Sequence, residues 1–175
     1  MDNKTVRIII TGKRSFNDYD VFKNIMDDVL RNLKSKVLMN IIDEFESYGE
    51  ADDWYKQNYN IEIICGMATG TDLLAIMYCI RNEFKGIKLV PFEPEFWKYG
   101  EKAGEVRNQA MLDYAMEADE AHVYAFWDIT PGGTKDMIDR ARLADIDIAI
   151  YHINTGEIHG KDFKYDKCIY KSKGE

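Results

Sequence analysis

The sequence predicts an α/β protein with a doubly wound, mainly parallel sheet of five strands. Five short apolar runs rich in β-branched residues alternate with stretches whose apolar residues recur every three or four positions. Such runs are typical of parallel strands covered by helices on both faces. The alternation of strand and helix predicts right-handed βαβ crossovers. We expect a single domain over residues 1–151.

The five predicted strands are short, and glycine follows each of the first two. They cover residues 6–11, 61–65, 87–91, 121–126 and 146–151. Apolar residues on a common helix face predict four intervening helices, over residues 22–33, 73–84, 106–118 and 137–144. Asp18 or Asp20 is predicted to cap the first of these helices.

Residues 34–60 form an insertion between the first helix and the second strand. Val37, Leu38, Ile41, Ile42 and Phe45 keep helical spacing. The spacing predicts that the first helix runs on to about Tyr48 or restarts after Ser35. The resulting apolar stripe would pack on the same chain or contact a second copy.

The C-terminal tail, residues 152–175, carries a turn signal at Asn154-Thr155-Gly156. Charged and aromatic residues alternate after it. We expect a hairpin followed by a frayed end.

The composition excludes several classes of protein. The chain has 175 residues, 46% of them hydrophobic, which is typical of a folded protein and not of a disordered one. Its formal charge of −8 argues against a broad nucleic-acid-binding surface, because such surfaces need an excess of Lys and Arg. A local basic pocket for a small anion remains compatible with that charge.

Targeting and metal-binding signals are also missing from the sequence. No apolar run approaches the ~20 residues of a membrane span, and the N-terminus does not resemble a signal peptide. We therefore expect a cytoplasmic protein with no membrane partner. Cys65, Cys79 and Cys168 form no metal-binding spacing, and we expect reduced thiols, no metal and no cofactor.

Glycine and hydroxyl residues follow three of the predicted strands. The segments are 11–16, 66–72 and 127–134. In open α/β sheets, ligands bind beyond the carboxyl ends of the strands, so these segments are predicted to meet at one rim. Glycine permits close approach of the backbone, and the first amides of the following helices favour phosphate. The alternative is that each loop is a plain turn with a threonine helix cap.

The third helix brings a further cation to the rim. Arg107 and Asn108 lie in its first turns, and the guanidinium of Arg107 could bind a phosphate or carboxylate. Its alternative role is a surface ion pair with Glu105 or Asp113. The sequence contains neither a Walker-type GxxxxGK[ST] loop nor a full GxGxxG motif.

Four motifs together resemble the SLOG superfamily in its YspA-like branch. They are TGxRxFxDYxxF over 11–22, GxAxGTDxLA over 66–75, FxPxxWxYGxxAGxxRNxxM over 92–111 and AFWDxxxxGTxxMIxxA over 125–141. The superfamily includes the lonely-guy phosphoribohydrolases, the DNA-processing protein DprA and sensor domains for nucleotide-derived signals in anti-phage systems. The resemblance implies a Rossmann-like domain that binds a nucleotide or a nucleotide derivative, often as a dimer.

The resemblance also bears on catalysis. Arg107 matches an arginine used by the lonely-guy enzymes, and Gly133-Thr134 match their phosphate-binding Gly-Thr pair. Met137 stands where those enzymes carry the glutamate that assists at the N-glycosidic bond, and Asp136 is one residue early. Asp72, Glu105 or Asp128 could replace that carboxylate.

The leading hypothesis is a protein that binds a nucleotide-type ligand at the strand rim, as a sensor or a sequestering protein. One alternative is N-glycosidic hydrolysis of a nucleotide or ADP-ribose-like compound, with Arg107 as catalytic residue. Another is DprA-like binding of single-stranded DNA. Trp97 or Trp127 could stack on a base. The predicted ligand-binding residues are Gly12, Lys13, Arg14, Gly66, Ala68, Thr69, Gly70, Thr71, Asp72, Arg107, Asn108, Trp127, Asp128, Gly132, Gly133 and Thr134.

Overall fold

The computed structural model describes residues 3–164, which form a six-stranded sheet flanked by helices. The strands are β1 (Lys4–Gly12), β2 (Tyr59–Cys65), β3 (Ile87–Pro91), β4 (Glu120–Trp127), β5 (Asp147–His152) and β6 (Ile158–His159). Their order across the sheet is β3-β2-β1-β4-β5-β6. Strands β1 to β5 pair in parallel, which confirms the predicted α/β class with a mainly parallel sheet.

The predicted count of five strands is wrong, because the chain turns back after β5 and adds an antiparallel edge strand. His152 O accepts hydrogen bonds from Thr155 N at 3.2 Å and from Gly156 N at 2.8 Å, which closes the turn. Ile158 then pairs with Tyr151. The two-residue strand is too short to leave an apolar alternation in the sequence. Residues 165–175 of the tail, including Cys168, lie outside the described residues.

The helices are α1 (Tyr19–Leu38), α2 (Tyr48–Asn58), α3 (Thr71–Arg81), α4 (Phe96–Tyr99), α5 (Ala103–Met116) and α6 (Gly133–Leu143). Short 3-10 turns occupy Ile42–Glu44, Glu83–Lys85 and Gly100–Lys102. Asp18 caps α1, since its Oδ1 accepts a hydrogen bond of 3.0 Å from Val21 N. No helix in residues 3–164 combines the length and the apolar character needed to cross a bilayer.

The insertion folds differently from either predicted extension of the first helix. Helix α1 ends at Leu38, and a new helix, α2, begins only at Tyr48. Ser47 caps α2 by accepting from Glu50 N at 3.3 Å, while Glu50 Oε2 accepts from Glu46 N at 3.0 Å. This arrangement is close to a capping box, which the Ser-x-x-Glu spacing could have revealed.

The apolar stripe of the insertion packs on its own chain. Leu38 at the end of α1 meets Ala51 and Tyr55 of α2 in a small buried cluster. The partly buried residues around it are Val37, Ile41, Ile42, Phe45, Trp54 and Tyr59. Burial of this stripe therefore follows from contacts within the insertion and at the start of β2.

The two faces of the sheet carry two larger cores. On one face, residues such as Ile8 and Ile63 pack with α1 and α3; on the other, residues such as Ile9 and Val123 pack with α5 and α6. The order of strands reverses between β1 and β4, where β1 has β2 on one side and β4 on the other. Ligands of doubly wound sheets bind at such a switch point, beyond the carboxyl ends of the strands.

Candidate functional site

A cleft of about 480 Å³ opens above the carboxyl ends of β1, β2 and β4. Its walls come from the loops after these three strands and from the first turns of α3, α5 and α6. The lining residues are Thr11, Gly12, Lys13, Arg14, Ser15, Ala68, Asp72, Arg107, Thr130, Pro131, Gly132, Gly133 and Thr134.

Size alone does not select this cleft, because grooves of about 560 Å³ lie beside α1 on two sides. We select it because it lies at the topological switch point and collects three cationic side chains, Lys13, Arg14 and Arg107. In the described part of the chain, no group of three or more His, Cys, Asp or Glu residues could hold a metal ion.

The loop after β1 is fixed by its backbone. Lys13 N donates to Phe126 O at 3.0 Å, and Lys13 O accepts from both Thr71 N, at 3.3 Å, and Thr71 Oγ1, at 3.1 Å. Gly12 is required at the preceding position, since a Cβ there would overlap the Thr71 side chain. The N-terminus of α3 is therefore occupied by a carbonyl of the protein, and the hydroxyl of Thr71 points to that carbonyl.

The loop after β2 is organised by Asp72. Its Oδ2 accepts a hydrogen bond of 3.0 Å from Ala68 N, although Asp72 is only 6% exposed. Burial raises the pKa of Asp72 above its ordinary value, against the opposing effects of the Ala68 N–H and the Arg107 charge. Met67 in this loop has a left-handed backbone with φ 60°, a conformation that costs of the order of 1 kcal/mol or more.

Four predicted residues of this loop, Gly66, Thr69, Gly70 and Thr71, lie outside the cleft lining. Thr69 is exposed, and Gly70 precedes α3 in a left-handed conformation with φ 73°, packed against the backbone of Arg14. They shape the loop and do not line the cleft.

Arg107 of α5 crosses the floor of the cleft. Its Nη1 donates to Gly66 O at 2.6 Å, and its Nη2 donates to Asn108 Oδ1 at 3.0 Å. A Cβ at residue 66 would overlap the guanidinium, so a larger residue there would have to displace the end of the Arg107 side chain. The Nε of Arg107 is buried and has no hydrogen-bond partner among the described residues. Burial lowers the pKa of Arg107, while Asp72 acts in the opposite direction.

Asn108 links Arg107 to the start of α6. Its Nδ2 donates to Gly133 O at 3.1 Å and to Asp136 Oδ2 at 2.9 Å. Asp136 also accepts from Arg140 Nε at 2.8 Å, so its carboxylate is engaged by two partners. The result is a hydrogen-bonded chain from the end of β2, through α5, to the first turn of α6.

The loop after β4 is tied to the loop after β1. Lys13 Nζ donates to Thr130 Oγ1 at 2.7 Å and lies 3.5 Å from Asp128 Oδ2. Asp128 Oδ1 accepts from Thr130 N at 3.1 Å and from Thr130 Oγ1 at 2.6 Å. Burial alone would raise the pKa of Asp128, but the bonds from Thr130 and the charge of Lys13 lower it overall. Ile129 between them has a φ of 66° and is the second strained non-glycine residue at the rim.

Helix α6 begins at this loop without a side-chain cap. Gly132 is the N-cap residue of α6, and as a glycine it has no side chain to accept a hydrogen bond from the first amides of the helix. The first amides of a helix have no intrahelical acceptor. Since Gly132, Gly133 and Thr134 line the cleft, this helix end is open toward it.

The two tryptophans predicted as stacking candidates lie elsewhere. Trp127 is fully buried in the core with α5 and α6, where its Nε1 donates to Thr130 O at 2.8 Å, so its ring is not available to a ligand. Trp97 on α4 is 83% exposed and is not part of the cleft lining.

The cleft also contains residues that the sequence analysis did not select. Thr11, Ser15, Thr130 and Pro131 line it. Thr130 could have been found, because an Asp-x-Thr sequence directly after a strand favours a turn closed by the aspartate side chain. Ser15 and Pro131 leave no comparable signal.

Comparison with protein-family models, with curated proteins and with solved structures gives no match to this chain. The interpretation of the cleft therefore depends on its own geometry and on the motif resemblance.

Proposed function

We propose that this protein binds a nucleotide or nucleotide-derived ligand in the switch-point cleft, with a phosphate group at the N-terminus of α6. The open, uncapped end of α6 is the observation that carries the proposal. A phosphate there would accept hydrogen bonds from the first amides of the helix and gain from its dipole, by about 0.3–1 kcal/mol at an exposed site. The hydroxyl of Thr134 and the guanidinium of Arg107 line the same space.

The proposal assigns the phosphate to one loop only. The sequence suggested that the loops 66–71 and 132–134 could both hold phosphates. Lys13 O already occupies the start of α3, and Asp72 adds a carboxylate beside it. These contacts favour the α6 end, where Gly132 provides no side-chain cap.

The positions of the carboxylates favour ligand binding without hydrolysis of the ligand. Met137, at the position of the lonely-guy glutamate, is fully buried in the core. Asp136 is held by Asn108 and Arg140 and does not line the cleft. A hydrolase would need a carboxylate near the scissile bond, and of the three alternatives Asp72, Glu105 and Asp128 only Asp72 lines the cleft. We therefore favour a sensor or a sequestering protein.

Isothermal titration calorimetry with nucleotides, ADP-ribose derivatives and cyclic dinucleotides tests the proposal. We expect at least one saturable ligand and a loss of affinity of about tenfold or more in Thr134→Val and in Arg107→Gln. Arg31→Gln is the matched control, because Arg31 pairs with Asp28 on the surface of α1 and is 66% exposed. If the panel gives no binding, or if the control variant loses affinity as strongly, the proposal is wrong.

Incubation of each bound ligand with the protein separates binding from hydrolysis. Recovery of the ligand intact by mass spectrometry supports a binder. Release of free base that is lost in Asp72→Asn supports the hydrolase. Native mass spectrometry of the same samples tests whether the chain forms the homodimer that the motif resemblance implies.

A further inference from the structure

We propose that Asp72 selects the ligand: it requires a hydrogen-bond donor, such as a sugar hydroxyl, beside Arg107 and excludes ligands that place a second phosphate there. The inference rests on the proposed function, because it presupposes a first phosphate at the start of α6. It makes a carboxylate of the protein, and not a cation, the group that distinguishes one phosphorylated ligand from another.

The position of Asp72 provides the first argument. It lies in the first turn of α3, nearly buried, and lines the cleft together with Ala68 and Arg107. Ala68 N holds its Oδ2 at 3.0 Å. An ionised carboxylate can only accept hydrogen bonds, so a ligand group beside it must donate.

The two helix ends at the cleft differ in a way that supports the same inference. Neither helix has a side-chain cap at its N-terminus, so the difference lies in the backbone contacts. At α3, Lys13 O accepts from both the backbone N and the hydroxyl of Thr71. The positive end of α3 is thus already satisfied by a carbonyl and by the Asp72 carboxylate in its first turn. A phosphate at this second end would have to displace groups of the protein.

The balance of charge in the cleft also favours a neutral hydrogen-bond donor over a second phosphate beside Asp72. Lys13 is paired with Asp128, and the charges of Arg107 and Arg14 both act on Asp72. The two carboxylates therefore offset most of the positive charge of the three cations. A second phosphate near Asp72 would bring like charges together where burial leaves little water to screen them. A neutral sugar with hydroxyl groups meets no such repulsion.

The test is calorimetric titration of the wild-type protein and Asp72→Asn with inorganic phosphate, pyrophosphate and ribose 5-phosphate. Asparagine keeps the size of the side chain, and its carbonyl oxygen can still accept from Ala68 N. We expect the wild type to prefer ribose 5-phosphate over pyrophosphate by tenfold or more. Asp72→Asn should reduce this ratio of affinities, ribose 5-phosphate over pyrophosphate, at least tenfold. It should bind the sugar phosphate more weakly and pyrophosphate more strongly.

Two further variants complete the test. Asp72→Ser is also neutral and can accept from Ala68 N, so it should reproduce the change if the asparagine variant does not fold. Glu105→Gln removes one negative charge from an exposed site on α5, two residues before Arg107, and should leave the ratio unchanged.

The outcomes separate the two proposals. If the wild type binds none of the three probes, phosphate binding at α6 and selection by Asp72 both fail. If it binds phosphate or ribose 5-phosphate but shows no preference over pyrophosphate, selection is wrong and the proposed function stands. The same holds if neither Asp72 variant alters the preference, or if Glu105→Gln alters it equally.

Discussion

Lys13 Nζ donates a hydrogen bond of 2.7 Å to Thr130 Oγ1 and so joins the loops after β1 and β4 across the switch point. The same amine lies 3.5 Å from Asp128 Oδ2. The loops that frame the cleft are thus held together by one side chain, next to the strained backbone of Ile129.

Replacement of this lysine should loosen the loop after β4. We expect Lys13→Met to destabilise the protein by about 1 kcal/mol, because one partly buried charged hydrogen bond is lost. Amide exchange at Thr130 should accelerate, as measured by hydrogen–deuterium exchange. Lys23→Met, which breaks a Lys–Asp pair on the surface of α1, is the control. Equal exchange at Thr130 in both variants would contradict the role given to Lys13.

The close contact between Gly66 and Arg107 can be tested by adding one methyl group. Gly66→Ala should displace Arg107, because the new Cβ would overlap the guanidinium, and should destabilise the fold by about 1 kcal/mol through loss of the hydrogen bond from Arg107 Nη1 to Gly66 O. The double variant Gly66→Ala/Arg107→Ala should be more stable than the sum of the single changes, since truncation removes the overlap. Urea denaturation measures the free energy of unfolding of the single and double variants.

Gly104→Ala is the matched control for this contact. Gly104 lies in α5, and a Cβ there would have no neighbour within 4 Å. Alanine should therefore stabilise the helix, by about 0.5–1 kcal/mol. A loss of stability at both positions would mean that contact with Arg107 is not what excludes alanine at residue 66.

Asn108 should contribute both to the stability of the fold and to ligand binding at α6. Asn108→Ala removes the link between Arg107 and Gly133, so we expect a loss of stability of about 2–3 kcal/mol and weaker binding at α6. Asn82→Ala removes another buried asparagine, whose Nδ2 donates to Tyr78 O at 2.8 Å far from the cleft. Both variants should melt at lower temperature in differential scanning fluorimetry. Only Asn108→Ala should lose the stabilisation by ligand.

Glu62 should dominate the response of the fold to acid. It accepts hydrogen bonds from Arg7 Nε at 2.8 Å, Tyr114 Oη at 2.7 Å and Lys88 Nζ at 3.0 Å. Burial alone would raise the pKa of Glu62, but these bonds outweigh it and lower the pKa from 4.5 to about 2.

A carboxyl with a lowered pKa stabilises the folded state above its unfolded pKa. This contribution declines as the pH falls below about 4.5 and is lost below about 2. Glu62→Gln should therefore cost roughly 2–3 kcal/mol at neutral pH and progressively less in acid, in urea denaturation at several pH values. Glu117→Gln should cost much less, because Glu117 lies 3.8 Å from Arg7 and is 73% exposed. An unchanged cost of Glu62→Gln down to about pH 3 would contradict this account.

The alternation of strands and helices, the five parallel strands and the loops that form the rim can all be predicted from local sequence patterns. These features follow from local patterns: β-branched runs, helical spacing, and glycine or threonine after a strand. The cation Arg107 and the glycines of the cleft were found in the same way, because their motifs are contiguous.

Contacts between distant segments determine which rim loop is open to a ligand. Lys13 O reaches Thr71 from 58 residues away in the chain and occupies the start of α3, and no local pattern records that contact. Trp127 is predicted to follow the fourth strand, yet it is the last residue of β4 and packing against α5 and α6 buries it. The sixth strand follows the predicted turn at Asn154-Thr155-Gly156, but its two residues become a strand by pairing with the edge of β5. Local periodicity fixes which elements form, whereas contacts between distant segments decide which polar groups remain available to a ligand.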